Sequence, residues 1–201
     1  MPQQSSMDFY FNWAKARIDE MNASLASLEA KASQIQADSK AEAQPLIADL
    51  RKRRDEFREI VQNQAEASEA AWARAKPQLE AAWTDFQATV KTYVDTVGKK
   101  TGQQQATFRD AAAAQLKAWR EVAEKIQVAA TEFAADSRTE LDIAVKQMKA
   151  DASDAEARLK QIGGDSWAAF SKALAQSRAA FDQANHAAWE AFKRAASRKT
   201  E

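Results

Sequence analysis

Few residues of this chain have the type and spacing that chemistry demands. His186, in Asn185-His186-Ala187-Ala188-Trp189, is the single histidine among 201 residues. An imidazole serves as a general base when a neighbour orients or activates it, and no activating partner is evident here, so His186 reads as a surface or seam residue. Cysteine is absent, which removes thiol nucleophiles and disulfides. Carboxylates are plentiful, yet helical di-metal sites recurrently use Glu-x-x-His, and the sequence contains none. A glycine-rich phosphate loop is missing too. No catalytic, cofactor-binding or metal-binding residue is expected, nor is an enzyme.

Two other groups of residues could bind something. Arg51-Lys52-Arg53-Arg54 is a basic run that nucleic acid could use, but Asp55 and Glu56 follow it directly. The spacing predicts Arg51/Asp55 and Lys52/Glu56 pairs at i,i+4, the pattern of a solvated helix face. Lys15/Asp19, Lys76/Glu80, Glu121/Lys125, Asp154/Arg158 and Glu156/Lys160 repeat it. Base-stacking aromatics are not interleaved with the run, so no nucleic acid partner is expected. The second group is aromatic: Phe9, Tyr10, Phe11 and Trp13 in one cluster, and Trp72 and Trp83 eleven residues, or about three helical turns, apart. Two readings stand open for these six. They are core residues, or they form a surface that anchors on a membrane or a partner.

The elements that must carry these residues follow from composition. Glycine numbers 4 and proline 3, so turns are few and elements long. Hydrophobic residues make up 45% of the chain, but mean hydropathy is −0.60 because so many of them are alanine. There is no apolar run long enough for a membrane-spanning helix. The first twenty residues lack the basic and apolar regions of a signal peptide, and a cytoplasmic location is the default expectation. Lys+Arg and Asp+Glu both count 29, so no long-range field draws the chain to anionic partners.

Apolar or small residues recur at alternating intervals of three and four from Ile18 through Met21, Leu25, Leu28, Ala32 and Ile35, and the stripe continues to Val97 at roughly 3.6 residues per step. Ser39, Arg54, Gln64 and Ser68 are its weak points. Ser39-Lys40-Ala41-Glu42 has the form of a capping box, and Pro45 lies near it. Because the stripe keeps its phase, the sequence favours a bend here over a loop, and a kink at Pro77. A second stripe runs from Leu116 to Ile162, and Gly163-Gly164-Asp165-Ser166 supplies a helix stop followed by N-cap residues. The expected fold is all-α: long amphipathic helices folded as an antiparallel coiled-coil hairpin or an elongated helical bundle. Its divisions are a frayed terminus at 1–6, a first helical unit at 7–97, a hinge at 98–102, a second unit at 103–197 broken at 163–166, and a tail at 198–201.

Sliding the chain by 98 residues lays Ile18, Met21, Leu28 and Ile35 over Leu116, Trp119, Ile126 and Phe133, and Ala37-Asp38-Ser39 over Ala135-Asp136-Ser137. With a shortening of three, Trp72, Leu79 and Phe86 meet Trp167, Leu174 and Phe181. These matches indicate an internal repeat whose junction is Gly98-Lys99-Lys100-Thr101-Gly102, with Thr101 as cap of the run that follows. Full closure at that junction would bring Trp13 to Trp189 and Trp83 to Trp119. Folding back near Ser39 and Ser137 into helices about 30 residues long would bury more than one thin hairpin.

Leu28-Glu29-Ala30-Lys31-Ala32, Leu50-Arg51-Lys52-Arg53-Arg54-Asp55, and Ala71-Trp72 followed by Leu79-Glu80-Ala81-Ala82-Trp83 resemble small bacterial coiled-coil proteins of the apolipoprotein-like type, over the first half more than the second. The resemblance implies a non-enzymatic helical protein. Two functions are expected as alternatives: a structural or scaffold protein acting through self-association or a helical protein partner, or a peripheral amphipathic coat on lipid or storage-granule surfaces.

Overall fold

The computed structural model describes residues 3–64, 68–133, 135–161 and 167–199. Among them the fold is all-α, with helices α1 (Gln3–Gln34), α2 (Ala37–Asn63), α3 (Glu69–Tyr93), α4 (Gln104–Ala130), α5 (Ala135–Gln161) and α6 (Trp167–Lys199). A π-helical turn, Val94–Gly98, prolongs α3. The packing divides the chain into two compact units, Met1–Gln115 and Leu116–Glu201.

The expectation of a bend at Ser39 is corrected. α1 stops at Gln34, and α2 starts at Ala37, two residues ahead of the capping-box serine, with Gln36 extended at the N-cap and making no side-chain cap bond. Asp38 then lies in the positive first turn of α2. The stripe passes through this point because both helices present the same apolar residues to one core; phase continuity does not separate a straight helix from one that folds back. A second break lies before α3, whose N-cap is Ser68, its side chain accepting the Ala71 N–H at 3.4 Å. Pro45 and Pro77 sit inside α2 and α3, which run on past them.

In the first unit α1 and α2 are antiparallel: Glu29 meets Arg51, and farther back Asn22 meets Arg58. Asp49 and Arg53 of α2 meet Thr89 and Asp85 of α3 in the same opposed order. α1 and α3 are parallel, since Phe11 touches Trp72 and the Leu28 carbonyl accepts the Tyr93 hydroxyl. The start of α4 returns along α1, with Asp110 on Lys31 and Gln115 on Ser24. Four helices thus alternate in direction around Met21, Leu28, Leu50, Phe57, Leu79 and Phe86, all essentially without solvent exposure.

In the second unit Arg120 and Gln127 of α4 meet Glu156 and Lys149 of α5, again in opposed order. Trp119 stacks on Phe181, and Phe133 packs edge-on to Phe192, so α6 runs parallel to α4. These contacts superpose on those of the first unit by the 98-residue shift. Asn22 and Arg58 become Arg120 and Glu156; Glu29 and Arg51 become Gln127 and Lys149. The bounds of α2, moved by the same shift, are those of α5. The Trp167 position that aligns with Trp72 is where α6 begins.

The turn between α3 and α4 has a definite geometry. The Gln103 N–H donates to the Gly98 carbonyl at 2.7 Å and the Gly102 N–H to the Lys99 carbonyl at 3.1 Å, a Schellman closure with Gly102 in the left-handed position at φ +67°. Thr101 does not cap the following helix as expected. Its hydroxyl donates back to the Val97 and Gly98 carbonyls, and the Gln103 carbonyl accepts from Thr107 at the start of α4. The glycine stop expected at 163–166 lies outside the described residues.

Candidate functional site

The aromatic candidates are placed by the inner faces of α1 and α3. Trp72 is 3% exposed and Trp83 9%, both within the core of the first unit. Phe11 and Trp13 are half-buried and packed against that core. Phe11 meets Trp72 edge-on at 5.7 Å, Trp13 leans on Phe57 at 6.1 Å, and Trp83 stacks on Phe86 at 6.0 Å. The side chains of Phe9 and Tyr10 lie outside those described. The four placed rings thus belong to one interior. Helical periodicity puts them there: Phe11 stands three residues before the buried Ala14 and Trp13 three before the buried Ala16 on α1, while Trp72, Leu79, Trp83, Phe86 and Val90 recur every three, four or seven residues on α3.

An ion pair missed by the sequence reading shares this interior. Arg17 and Glu20, one turn apart on α1, are 1% and 0% exposed and joined at 2.7 Å. The Arg17 guanidinium also lies 5.7 Å from the Trp13 ring and 5.3 Å from that of Trp83, a cation–π arrangement strengthened by desolvation. Arg17 stands one residue before Ile18, the first position of the apolar stripe, and periodicity gives such a residue no special weight.

The basic run is fully engaged. Arg51 pairs with Glu29 at 2.6 Å, across to α1 instead of along its own helix to Asp55 as expected; Lys52 pairs with Glu56 at 3.7 Å as expected. Arg53 bridges Asp49 and Asp85, and Arg54 pairs with Asp55. The Arg53 guanidinium, by hydrogen bond, holds the Asp49 carboxyl below its usual value against the opposing effect of burial. Lys76/Glu80 and Glu156/Lys160 form as expected, while Glu121 meets Lys117; the Lys15 ammonium lies 4.1 Å over the Phe11 ring. Lys160 and then Arg120 lower Glu156 from the ordinary 4.5 to about 2.

His186 is half-buried on α6. Among the described residues no group of three or more His, Cys, Asp or Glu could hold a metal ion, and no helix is long and apolar enough to cross a membrane. Among the described residues Val128 and Ile143 are the exposed large hydrophobics, at 70% and 65%. No family model, curated protein or solved structure matches the chain.

Proposed function

We propose that the chain is a non-enzymatic structural or interaction protein that acts as a cytoplasmic scaffold, through self-association or coiled-coil contacts with a helical partner. The observation that carries this reading is the duplication of one helical unit together with its inter-helix polar contacts. Asn22–Arg58 and Glu29–Arg51 in one copy occupy the positions of Arg120–Glu156 and Gln127–Lys149 in the other. What the two copies have in common is the means of holding helices in register, not an acid, a base or a nucleophile. Equilibrium sedimentation and affinity capture test the reading: self-association or a specific helical partner is expected, and a compact monomer that captures nothing would sink it.

The alternative is a peripheral coat on lipid or storage granules, the role implied by the apolipoprotein-like resemblance. It is favoured by the polar residues enclosed with the aromatic ones: Arg17, Glu20, Ser24 and Gln115 are all buried, and enclosed charge makes a packed interior less costly to open than an apolar one of the same size. Phe11, Trp13, Trp72 and Trp83 would become the lipid-facing residues once the helices part. Flotation with liposomes separates the two roles. Binding with a gain of helicity supports the coat; no binding and unchanged helicity removes it.

A further inference from the structure

We propose that the groove between the end of α4 and the first half of α5 is an anion site for a phosphate-bearing ligand. It is an open groove of about 470 Å³, lined by Gln127 and Thr131 on one side and Arg138, Asp142, Lys146 and Lys149 on the other, with Val145 contributing apolar surface. That volume falls within the range of small-molecule sites. Three cations line it against one carboxylate. Arg138 is engaged with Asp142 at 3.5 Å. Lys149 donates to the Gln127 side-chain oxygen, a neutral partner that leaves its charge uncompensated. Lys146 has no ion-pair partner among the described residues.

The first unit supplies an internal control. The same groove, 98 residues earlier, has Glu29 in place of Gln127, Arg51 in place of Lys149, Ala48 in place of Lys146 and Gln44 in place of Asp142. There Arg51 and Glu29 neutralise each other at 2.6 Å. The second copy has exchanged the acid for an amide and the alanine for a lysine, each raising the charge of the groove by one, while Asp142 in place of Gln44 lowers it by one and is engaged by Arg138. Helix packing requires none of these changes, since the first copy packs without them. Their net effect is one more positive charge, which favours an oxyanion of two negative charges, the charge of a phosphate monoester near neutral pH, and the amide N–H₂ of Gln127 adds a donor. Two sources share this chemistry, a free phosphate monoester and a phospholipid headgroup. The exposed Val128 and Ile143, each next in sequence to a lining residue, bear on the second.

The test is calorimetric titration of the full chain with inorganic phosphate at low ionic strength, and flotation with phosphatidylcholine vesicles with and without phosphatidic acid. Saturable phosphate binding is expected, weakened about tenfold or more by K146Q/K149Q. Q127E, which restores the ion pair of the first unit, should weaken it likewise. K117Q, which removes a lysine paired with Glu121 elsewhere on α4, should leave it unchanged, and circular dichroism should show all variants equally helical. Binding to phosphate alone identifies a free ligand, and binding to phosphatidic acid vesicles a headgroup. Absence of saturable binding to either probe, or weakening by K117Q equal to that of K146Q/K149Q, overturns the proposal.

Discussion

Arg120 of α4 reaches across to the Glu156 carboxylate of α5, which also receives Lys160 from its own helix at 2.7 Å. Two cations on one carboxylate depress its pKa from 4.5 to about 2. A folded pKa below the unfolded one means that the unfolded state binds the proton more readily. The stabilisation is therefore present above about pH 4.5 and lost as pH falls toward 2. The carboxylate is 39% exposed, so solvent screening limits the contribution to about 1 kcal/mol or less. Urea denaturation of wild type and E156Q should differ at pH 6 and converge near pH 2; a difference that persists at the acid end would reject the assignment.

The turn glycines give a second prediction, with two causes that can be told apart. At Gly102 the backbone is left-handed with open space around it, so G102A suffers conformational strain alone, about 1–2 kcal/mol. At Gly98 a Cβ would stand 2.9 Å from the Cα of Gln104, a backbone atom that cannot move aside as a flexible side chain would. G98A should thus be destabilising even though alanine is the better helix former by about 1 kcal/mol. Asparagine, which tolerates the left-handed region, should recover part of the loss at 102 and none at 98. Thermal melts followed by circular dichroism read both series.

Ser68 carries the third prediction. Its hydroxyl, at 3.4 Å, shares the Ala71 N–H at the start of α3 with the carbonyl of Ser68 itself, which accepts it at 2.9 Å. S68A leaves that backbone bond in place and should cost about 0.5 kcal/mol, the low end of cap losses, and S68D should restore the loss because an acid at the cap also complements the helix dipole. Chemical denaturation of the three proteins is the measurement. A loss with alanine that aspartate does not recover would mean that the hydroxyl serves something other than the cap.

How much of this was legible in the sequence depends on what each signal measures. The stripe from Met21 to Val97 identifies buried residues correctly: Met21, Leu25, Leu28, Leu50, Phe57, Leu79, Phe86 and Val97 are all in the core. It is silent on direction, because a 3.6-residue period persists whether the chain continues or reverses, and so the stripe alone does not distinguish the reversal at Ile35-Gln36 from a bend. The weak stripe positions Gln64 and Ser68 mark the next reversal, and Ser68 with Trp72 four residues on is a cap-and-core signature that could have revealed it. The 98-residue repeat is visible in the alanine-flanked matches, but its strongest mark is the coincidence of inter-helix pairs such as Asn22–Arg58 with Arg120–Glu156, which only the folded chain brings together. The Arg17–Glu20 pair was illegible because periodicity assigns charged residues outward, and only a cation between two indole rings makes the exception.

Trp72 gives the last prediction, and it bears on both functional readings. The ring is 3% exposed and meets Phe11 edge-on, so W72A should cost about 3–5 kcal/mol. W72F should retain most of the stability by keeping an aromatic edge against Phe11. W13A should cost less than W72A, since Trp13 is only half-buried. A ring so enclosed cannot meet lipid while α1 and α3 stay packed. Lipid contact at Trp72 would have to accompany separation of Phe11 from Trp72 and of the Tyr93 hydroxyl from the Leu28 carbonyl. A variant retaining Trp72 as its one tryptophan, the others replaced by phenylalanine, reads this directly. Shielding from acrylamide in the free protein is expected under either role. With brominated-lipid vesicles, quenching at Trp72 together with new exposure of Tyr93 identifies the coat. Unchanged emission and an intact Tyr93 contact on the same vesicles leave the scaffold as the role.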